Sequence, residues 1–334
     1  MQWFFDDVLP LPKVAPRQGA LHWLRAYDLA ECRTGHMMIT LTPTPDHAFQ
    51  MMVDDGFEEG RQWLGYDVEE LLEQIDDAMD TMRKWVRTHD AMDLWGKAQE
   101  RHVAIGAVHD IDEACSSPQF EHRKFLSQNQ NSTVRQPGRL VRFSHTPSVP
   151  LKPPATAETP IEAIIDRWSQ SERVTIDEPL TESETPLPLE GVRVLDLTWV
   201  LAGPFATRML ADLGADIIRL QNEEHSTLVN RPDYPYYFVW GRGKRSATLD
   251  MKHPDALRTI RKLIENCDVL IENYSAGVLD GWGLDWQTVK EWNPRLVYVS
   301  MSGCGHDGPW RHVISYAPTI HAICGITHLT NFAD

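Results

Sequence analysis

The sequence predicts an α/β protein in which two structured segments are joined by a proline-rich linker. In the second half of the chain, strand-type and helix-type stretches alternate, which is typical of a parallel sheet with helices on its faces. In the first half, a long amphipathic helix accompanies short apolar strands, which predicts an α+β arrangement. Between residues 147 and 188, prolines and polar residues accumulate. We therefore divide the chain into 1–146, a linker 147–188, and 189–334.

Hydrophobic periodicity predicts the elements of the first segment. Residues 35–42 (GHMMITLT) form an apolar run that predicts a buried strand. Residues 67–88 carry apolar side chains at three- and four-residue steps with acidic residues between them, which predicts one core-facing helix. Three further elements are expected: a helix over 91–101, a strand over 103–108, and a short helix that begins at 109–110 and ends before residue 118.

The elements of the remaining chain follow from the same patterns. One amphipathic helix, 161–169, is expected inside the linker, with Ile164, Ile165 and Trp168 on one side. In chain order, the second segment predicts strand 192–197, helix 204–213, strand 217–220, a strand-like stretch 246–250, helix 254–266, strand 269–272, helix 286–292, strand 296–300 and helix 317–329. This order, with strands apolar on both faces, is typical of a doubly wound domain.

Composition and charge argue against several classes of function. The 334 residues include 42% hydrophobic and 24% charged side chains and carry a net charge of −16, which suits a globular protein and disfavours nucleic acid as a partner. No apolar run is long enough to span a membrane, and residues 1–12 lack the apolar core of a signal peptide. The five cysteines are scattered, which favours reduced thiols over a zinc or disulfide framework. We expect a cytoplasmic protein without a metal, nucleic acid or membrane partner.

The turn after the first strand of the second segment is a candidate ligand site. Residues 198–204 (TWVLAGP) end a strand and begin a helix with a proline in its first turn. In an open α/β sheet, ligands bind beyond the carboxyl ends of the strands, where N–H groups at a helix start attract phosphate or carboxylate. A tight connection without a ligand explains the same residues equally well.

Two glycine-rich loops are further candidates. Residues 241–246 (GRGKRS) lack the third glycine of a dinucleotide fingerprint and precede strand-like residues, which argues against an NAD site. Their cations suit a phosphorylated ligand, or they simply face the solvent. Residues 303–309 (GCGHDGP) let a backbone approach a ligand, but Cys304 and His306 match no metal-ligand pattern and Cys304 lacks a paired base. We predict neither a metal centre nor a cysteine nucleophile in this loop.

A series of short motifs runs through both segments. In 189–334 the motifs are 189–196 (LEGVRVLD), 201–204 (LAGP), 210–215 (LADLGA), 243–246 (GKRS), 249–254 (LDMKHP), 268–274 (DVLIENY), 277–280 (GVLD), 293–296 (NPRL) and 302–309 (SGCGHDGP). This series resembles the N-terminal, Rossmann-like half of the family III coenzyme A (CoA) transferases. The first segment is similar to the C-terminal half of that family at 95–107 (WGKAQERHVAIGA), 111–125 (IDEACSSPQFEHRKF) and 144–147 (SHTP). The halves are in inverted order, so the chain resembles the junction of a tandem-duplicated member, or a permuted one.

The resemblance implies a reaction and its substrates. An acyl-CoA donates CoA to a small carboxylic acid through an aspartyl anhydride and an aspartyl-CoA thioester, with no permanently bound cofactor. Members of the family form interlocked homodimers. The residues that the resemblance assigns to CoA or substrate are Leu201, Ala202, Leu249, Asp250, Met251, Lys252, Asn273, Tyr274 and Tyr316. It assigns no catalytic residue, because the family's aspartate belongs to a GD motif that neither segment supplies.

Alternatives to this assignment stay open. Leu201 and Leu249 also suit simple packing, and Asp250 also suits a cap for a helix that begins near Pro254. For Asn273 and Lys252 a ligand contact is preferred, because polar groups at strand ends suit ligand sites. In one alternative to the enzyme assignment, the chain is a CoA-binding or accessory module without activity. In another, it is an oligomerisation partner.

Overall fold

The structure, a computed structural model, describes residues 25–41, 44–128, 134–147, 158–170, 187–222 and 235–330. Its strands are β1 (Tyr27–Glu31), β2 (His36–Thr40), β3 (Ile105–Ala107), β4 (Leu126–Gln128), β5 (Arg135–Pro137), β6 (Arg193–Asp196), β7 (Asp216–Gln221), β8 (Lys244–Thr248), β9 (Val269–Glu272) and β10 (Val297–Ser300). Its helices in the first segment and the linker are α1 (Pro45–Asp54), α2 (Val68–Glu73), α3 (Ile75–Val86), α4 (Ala91–Glu100), α5 (Ile111–Cys115), α6 (Pro118–Arg123) and α7 (Ile161–Gln170). The helices of the second segment are α8 (Ala202–Asp212), α9 (Pro235–Gly241), α10 (Ala256–Glu265), α11 (Val278–Gly281), α12 (Trp286–Trp292), α13 (Ala317–Ile323) and α14 (Ile326–Leu329). A 3-10 helix, Glu58–Trp63, follows α1.

The second segment forms a five-stranded sheet with the order β10-β9-β6-β7-β8, and every neighbouring pair is parallel. Successive residues of β6 face opposite sides, as the period of a strand requires. Val194 lies in a cluster with Ile217 and the inner side of α8, whereas Leu195 lies in a cluster with Ile260 of α10. The α/β class, with helices on both faces of a parallel sheet, is thereby confirmed.

The strand order reverses at β6. From β6 the chain adds β7 and β8 on one side, and it then returns to add β9 and β10 on the other side. The carboxyl ends of β6 and β9 therefore flank a topological switch point, the place where ligands bind in sheets of this kind.

The first segment is built around an antiparallel sheet with the order β1-β2-β3. Helices α1, α3 and α4 supply large buried side chains to its core, among them Phe49, Met82 and Trp85. The single helix predicted over 67–88 is wrong in one respect, because Gln74 leaves helical geometry and separates α2 from α3. Asp67 and Glu70 form a capping box that begins α2.

The end of the second segment packs on the first segment. Ile323 of α13 is 2% exposed and belongs to the same core cluster as Met37 and Ile105. His109 extends this contact, since its main-chain N–H donates to the Ala322 carbonyl oxygen at 3.1 Å and its ring Nδ1 donates to the Ile323 carbonyl oxygen at 3.0 Å. Residues from both predicted segments therefore build one core, while the predicted boundaries at 146 and 189 stay predictions.

The loop 303–309, here called the docking loop, is fixed to the first segment by Gln119. This side chain is 2% exposed, and its Nε2 donates to the carbonyl oxygens of Cys304 at 2.6 Å and Asp307 at 2.9 Å. Its Oε1 accepts from the Trp310 N–H at 2.9 Å. Nη1 of Arg142 donates to both oxygens of the Asp307 carboxylate, at 3.0 and 2.7 Å.

The described residues include only part of the predicted linker, and one predicted helix is divided into two. Most of the predicted linker, 148–157 and 171–186, lies outside the described residues, and its predicted helix is α7. The single helix predicted over 317–329 is two helices, because Gly325 adopts a φ of +80° and separates α13 from α14. Among the described helices, none is long and apolar enough to cross a membrane.

Candidate functional site

Three loops with eight of the nine predicted site residues leave the five-stranded sheet at one edge. Leu201 and Ala202 follow β6, residues 249–252 follow β8, and Asn273 and Tyr274 follow β9. Because β6, β8 and β9 run parallel within one sheet, their carboxyl ends lie along the same edge. The ninth residue, Tyr316, lies immediately before α13, which contacts the sheet of the first segment.

The loops after β6 and β9 are joined across the switch point. The Trp199 N–H donates to Oδ1 of Asn273 at 2.9 Å, and Nδ2 of Asn273 donates back to the Trp199 carbonyl oxygen at 2.9 Å. The rings of Trp199 and Tyr274 stack with centroids 6.1 Å apart and planes at 19°. The next residue, Val200, has a φ of +64°. Both polar atoms of the Asn273 amide therefore bond the main chain of the β6 loop.

A buried ion pair lies beneath the start of α8. Nζ of Lys244 is 3.0 Å from a carboxylate oxygen of Asp196, and both side chains are buried. The ammonium also donates to the Pro204 carbonyl oxygen at 2.9 Å and to Oγ1 of Thr207 at 2.6 Å. Burial lowers the pKa of Lys244, and the Asp196 carboxylate opposes that shift. The Oγ1 of Thr198 donates to the other Asp196 oxygen at 2.5 Å, so the whole cluster is satisfied internally.

This geometry changes the interpretation of the basic loop 241–246. Its lysine, Lys244, faces inward to Asp196, and neither the phosphorylated-ligand interpretation nor the solvent-facing one describes it. Arg242 is an exposed partner of Asp212 at 2.6 Å.

A second buried carboxylate belongs to Glu272, the last residue of β9. Its side chain is fully buried, and Oε2 accepts from the Tyr274 N–H at 2.8 Å. Its other oxygen, Oε1, lies 3.1 Å from Nε2 of His306 in the docking loop. The interaction with Glu272 raises the pKa of His306, while burial acts in the opposite direction. The contact between Glu272 and His306 thus links the carboxyl edge of the sheet to the docking loop.

The remaining predicted residues have mixed environments. Leu249 and Met251 are half-buried and pack on the core of the second segment. Oδ1 of Asp250 accepts from the Lys252 N–H at 2.9 Å, and α10 begins only at Ala256, so Asp250 does not cap that helix. Lys252 is exposed.

Metal and thiol chemistry find no support among the described residues. No group of three or more histidine, cysteine, aspartate and glutamate side chains there is arranged to hold a metal ion. Burial, with a smaller effect of Cys324, raises the pKa of Cys304 to about 11, so its thiol stays protonated at neutral pH.

The residues that hold this edge together were not among the predicted site residues. Asp196 and Glu272 each end an apolar strand. Lys244 is the partner of Asp196, and Gln119 binds the docking loop that contacts Glu272. A carboxylate at the end of a buried strand is a usable signal, because a buried charge is rarely left without a partner. The identity of the partner requires the fold.

The fold and the shared edge define an α/β protein whose strand order reverses at β6, the position where open parallel sheets bind ligands. A sequence profile of CoA-transferase family III matches residues 3–159 and 189–334, which is nearly the whole chain. The chain belongs to CoA-transferase family III.

Individual relatives match part of the chain. It is 37% identical over 152 residues to the succinyl-CoA–L-malate CoA-transferase beta subunit of Chloroflexus aurantiacus. This match covers 43% of this chain and 38% of that protein. It is 36% identical over 160 residues to the succinate–glutarate CoA-transferase of Agrobacterium fabrum, covering 44% of this chain and 40% of that protein. The crystal structure of a CAIB/BAIF family protein from Brucella suis is 36% identical, with a TM-score of 0.42, and covers 45% of this chain and 42% of that chain. The chain spans about two-fifths of the length of the curated relatives it matches.

Proposed function

We propose that the chain binds CoA or an acyl-CoA along the carboxyl edge of its five-stranded sheet and forms part of an enzyme that transfers CoA to a carboxylic acid. The observation that carries this proposal is the meeting of the loops after β6, β8 and β9 at that edge in a chain of this family. Parallel α/β sheets bind phosphorylated ligands at this edge, and Lys252 offers an exposed cation there. Leu201, Ala202, Asn273 and Tyr274 line the same edge.

The proposed reaction proceeds by covalent catalysis. An aspartate carboxylate attacks the thioester carbonyl carbon, the CoA thiolate leaves, and a mixed anhydride forms. The thiolate then attacks the aspartyl carbonyl, which releases the donor acid and gives an aspartyl-CoA thioester. The acceptor carboxylate attacks this thioester, a second anhydride forms, and the thiolate takes the new acyl group, which regenerates the aspartate.

The nucleophilic aspartate is proposed to come from sequence outside these 334 residues, because neither segment carries the GD motif of the family. Tyr316 is proposed to lie near the reacting end of the substrate. We further propose that the protein acts in the cytoplasm as a homo-oligomer, with CoA entering as a substrate and not as a resident cofactor.

Calorimetric titration of CoA into the purified chain tests the binding step. We expect saturable binding, and we expect Lys252→Ala to weaken it about five- to tenfold through loss of a phosphate contact. Lys262→Ala is the matched control, because Lys262 is an exposed lysine on α10 of the same domain, and it should leave the affinity unchanged. Absence of CoA binding by the unmodified chain contradicts the proposal.

An exchange assay tests the transfer step. The gene is read through its flanking codons, and the longest encoded protein is incubated with succinyl-CoA and a panel of acids that includes glutarate and L-malate. Formation of a new acyl-CoA is the expected result. CoA binding without any exchange would instead support the alternative of a CoA-binding or accessory module.

A further inference from the structure

Val200 holds a backbone conformation that β-branched residues rarely adopt. Its φ of +64° lies in the left-handed region, where Cβ approaches the following carbonyl oxygen. A conformation of this kind persists only where neighbouring contacts impose it. The turn after β6 is therefore held in place by something other than its own preference.

Contacts on both sides of Val200 supply this restraint. On its N-terminal side, Asn273 bonds both the N–H and the carbonyl oxygen of Trp199, each at 2.9 Å. One residue earlier, the Thr198 N–H donates to Asp196 at 2.9 Å. On its C-terminal side, Gly203 packs so closely that a Cβ added there would lie 2.4 Å from Cβ of Thr198.

Asn273 suits the role of a clamp better than that of a direct ligand contact. The two partners on Trp199 require an acceptor and a donor at matching positions, and one side-chain amide provides both. This geometry also fixes which amide atom is oxygen and which is nitrogen. With these two bonds Asn273 holds the loop, and through the loop it can act on a ligand.

We propose that Asn273 is a positioning residue: it clamps Trp199, keeps Val200 in the left-handed conformation, and thereby sets Leu201 and Ala202 at the edge where CoA binds. The positioning of CoA rests on the proposed function above. The clamp itself is a conformational property of the chain and is measurable without any ligand.

A rescue experiment tests the clamp. In Asn273→Ala, Val200 is free to relax to a negative φ. CoA binding must then return Val200 to a positive φ at a cost in free energy. We therefore expect the affinity for CoA to fall about 5- to 30-fold. Glycine adopts positive φ as readily as negative φ. We therefore expect Val200→Gly in the Asn273→Ala background to recover most of the lost affinity, measured by titration of CoA into the full chain.

Asn293 provides the matched control. Like Asn273, it makes two side-chain hydrogen bonds to the main chain of the same domain. Its Nδ2 donates to the carbonyl oxygens of Ile264 and Cys267, at 2.8 Å each. Asn293→Ala should lower the melting temperature without the loss of CoA affinity, and Val200→Gly should not restore its stability. If the Asn273→Ala and Val200→Gly double variant binds CoA no better than Asn273→Ala alone, the clamp proposal is wrong.

Hydrogen–deuterium exchange separates the clamp from the CoA assignment. Asn273→Ala should raise deuterium uptake in peptides that cover residues 198–206, whereas Asn293→Ala should not. If this pattern appears and the unmodified chain binds no CoA, the proposed function fails and the clamp stands. If uptake over 198–206 is the same in both variants, the clamp is wrong whether or not CoA binds.

Discussion

The two cations of the motif 243–246, Lys244 and Arg245, show that neighbouring side chains of one strand can have different roles. Lys244 and Arg245 are adjacent in β8, and their side chains therefore face opposite sides of the sheet. Lys244 meets the buried Asp196 carboxylate at 3.0 Å, whereas Arg245 pairs with Asp216 at the surface. The buried pair ties β8 to the end of β6 and to the start of α8, the turn on which the candidate CoA site depends.

Lys244→Met tests the contribution of the buried pair. The substitution keeps side-chain length and leaves the Asp196 carboxylate buried without its cation, so we expect the free energy of unfolding to fall by about 3–5 kcal/mol. Arg245→Met is the control, with an expected loss below about 1 kcal/mol because that pair is exposed. Urea unfolding of both variants is the measurement. Equal losses in the two variants would show that the buried pair has no special weight.

At the scale of single elements, the docking loop 303–309 is held from two sides. Gln119 of α6 binds its main chain, and Glu272 of β9 contacts its His306 side chain. The loop therefore connects the carboxyl edge of the parallel sheet with the first segment. Its glycines permit this close approach, since a Cβ on Gly308 would lie 2.5 Å from Oε1 of Gln119.

The His306–Glu272 contact predicts a pH dependence of stability. The pKa of His306 is raised above its ordinary value of 6.5, by Glu272 first and also by Asp280 and Asp307, against the effect of burial. A raised pKa in the folded state gives stability that is fully present below about pH 6.5 and is lost as pH rises through the folded-state pKa. We expect the difference in unfolding free energy between the unmodified protein and His306→Gln to shrink from pH 5.5 to 8.5.

Urea unfolding across that range, with His312→Gln as the control, measures this effect. His312 is an exposed histidine close to the docking loop and has no carboxylate partner among the described contacts. A difference between the unmodified protein and His306→Gln that stays constant over the whole pH range would contradict the role assigned to the His306–Glu272 contact.

At the scale of the whole molecule, residues from the two predicted segments fold against each other. Ile323 of the second segment completes the core of the first, and His109 bonds the end of α13. The two predicted segments are thus joined by the chain and, in addition, by packing of their side chains. Residues from both sides of the predicted linker therefore form one packed unit.

Cleavage of the linker tests this association. We expect a protein with a protease site inserted after Gln170 to elute as a single species after cleavage, because the shared core persists. Ile323→Asp places a charge at a position that is 2% exposed and should separate the pieces, whereas Ile326→Asp, at 45% exposure, should not. Size-exclusion chromatography gives the readout, and co-elution of the cleaved Ile323→Asp protein would refute the shared core.

The sequence alone determined part of the local elements and the class of protein. Strand 269–272 and helix 286–292 were predicted with the bounds that the structure gives, because their periodicity is set by burial on one face or both. Only the tertiary structure decided that Lys244 faces inward, that Asn273 bonds the Trp199 main chain, and that α13 joins the first core. Periodicity records which residues avoid water, but pairing between buried groups far apart in sequence depends on strand order and on the packing of whole elements.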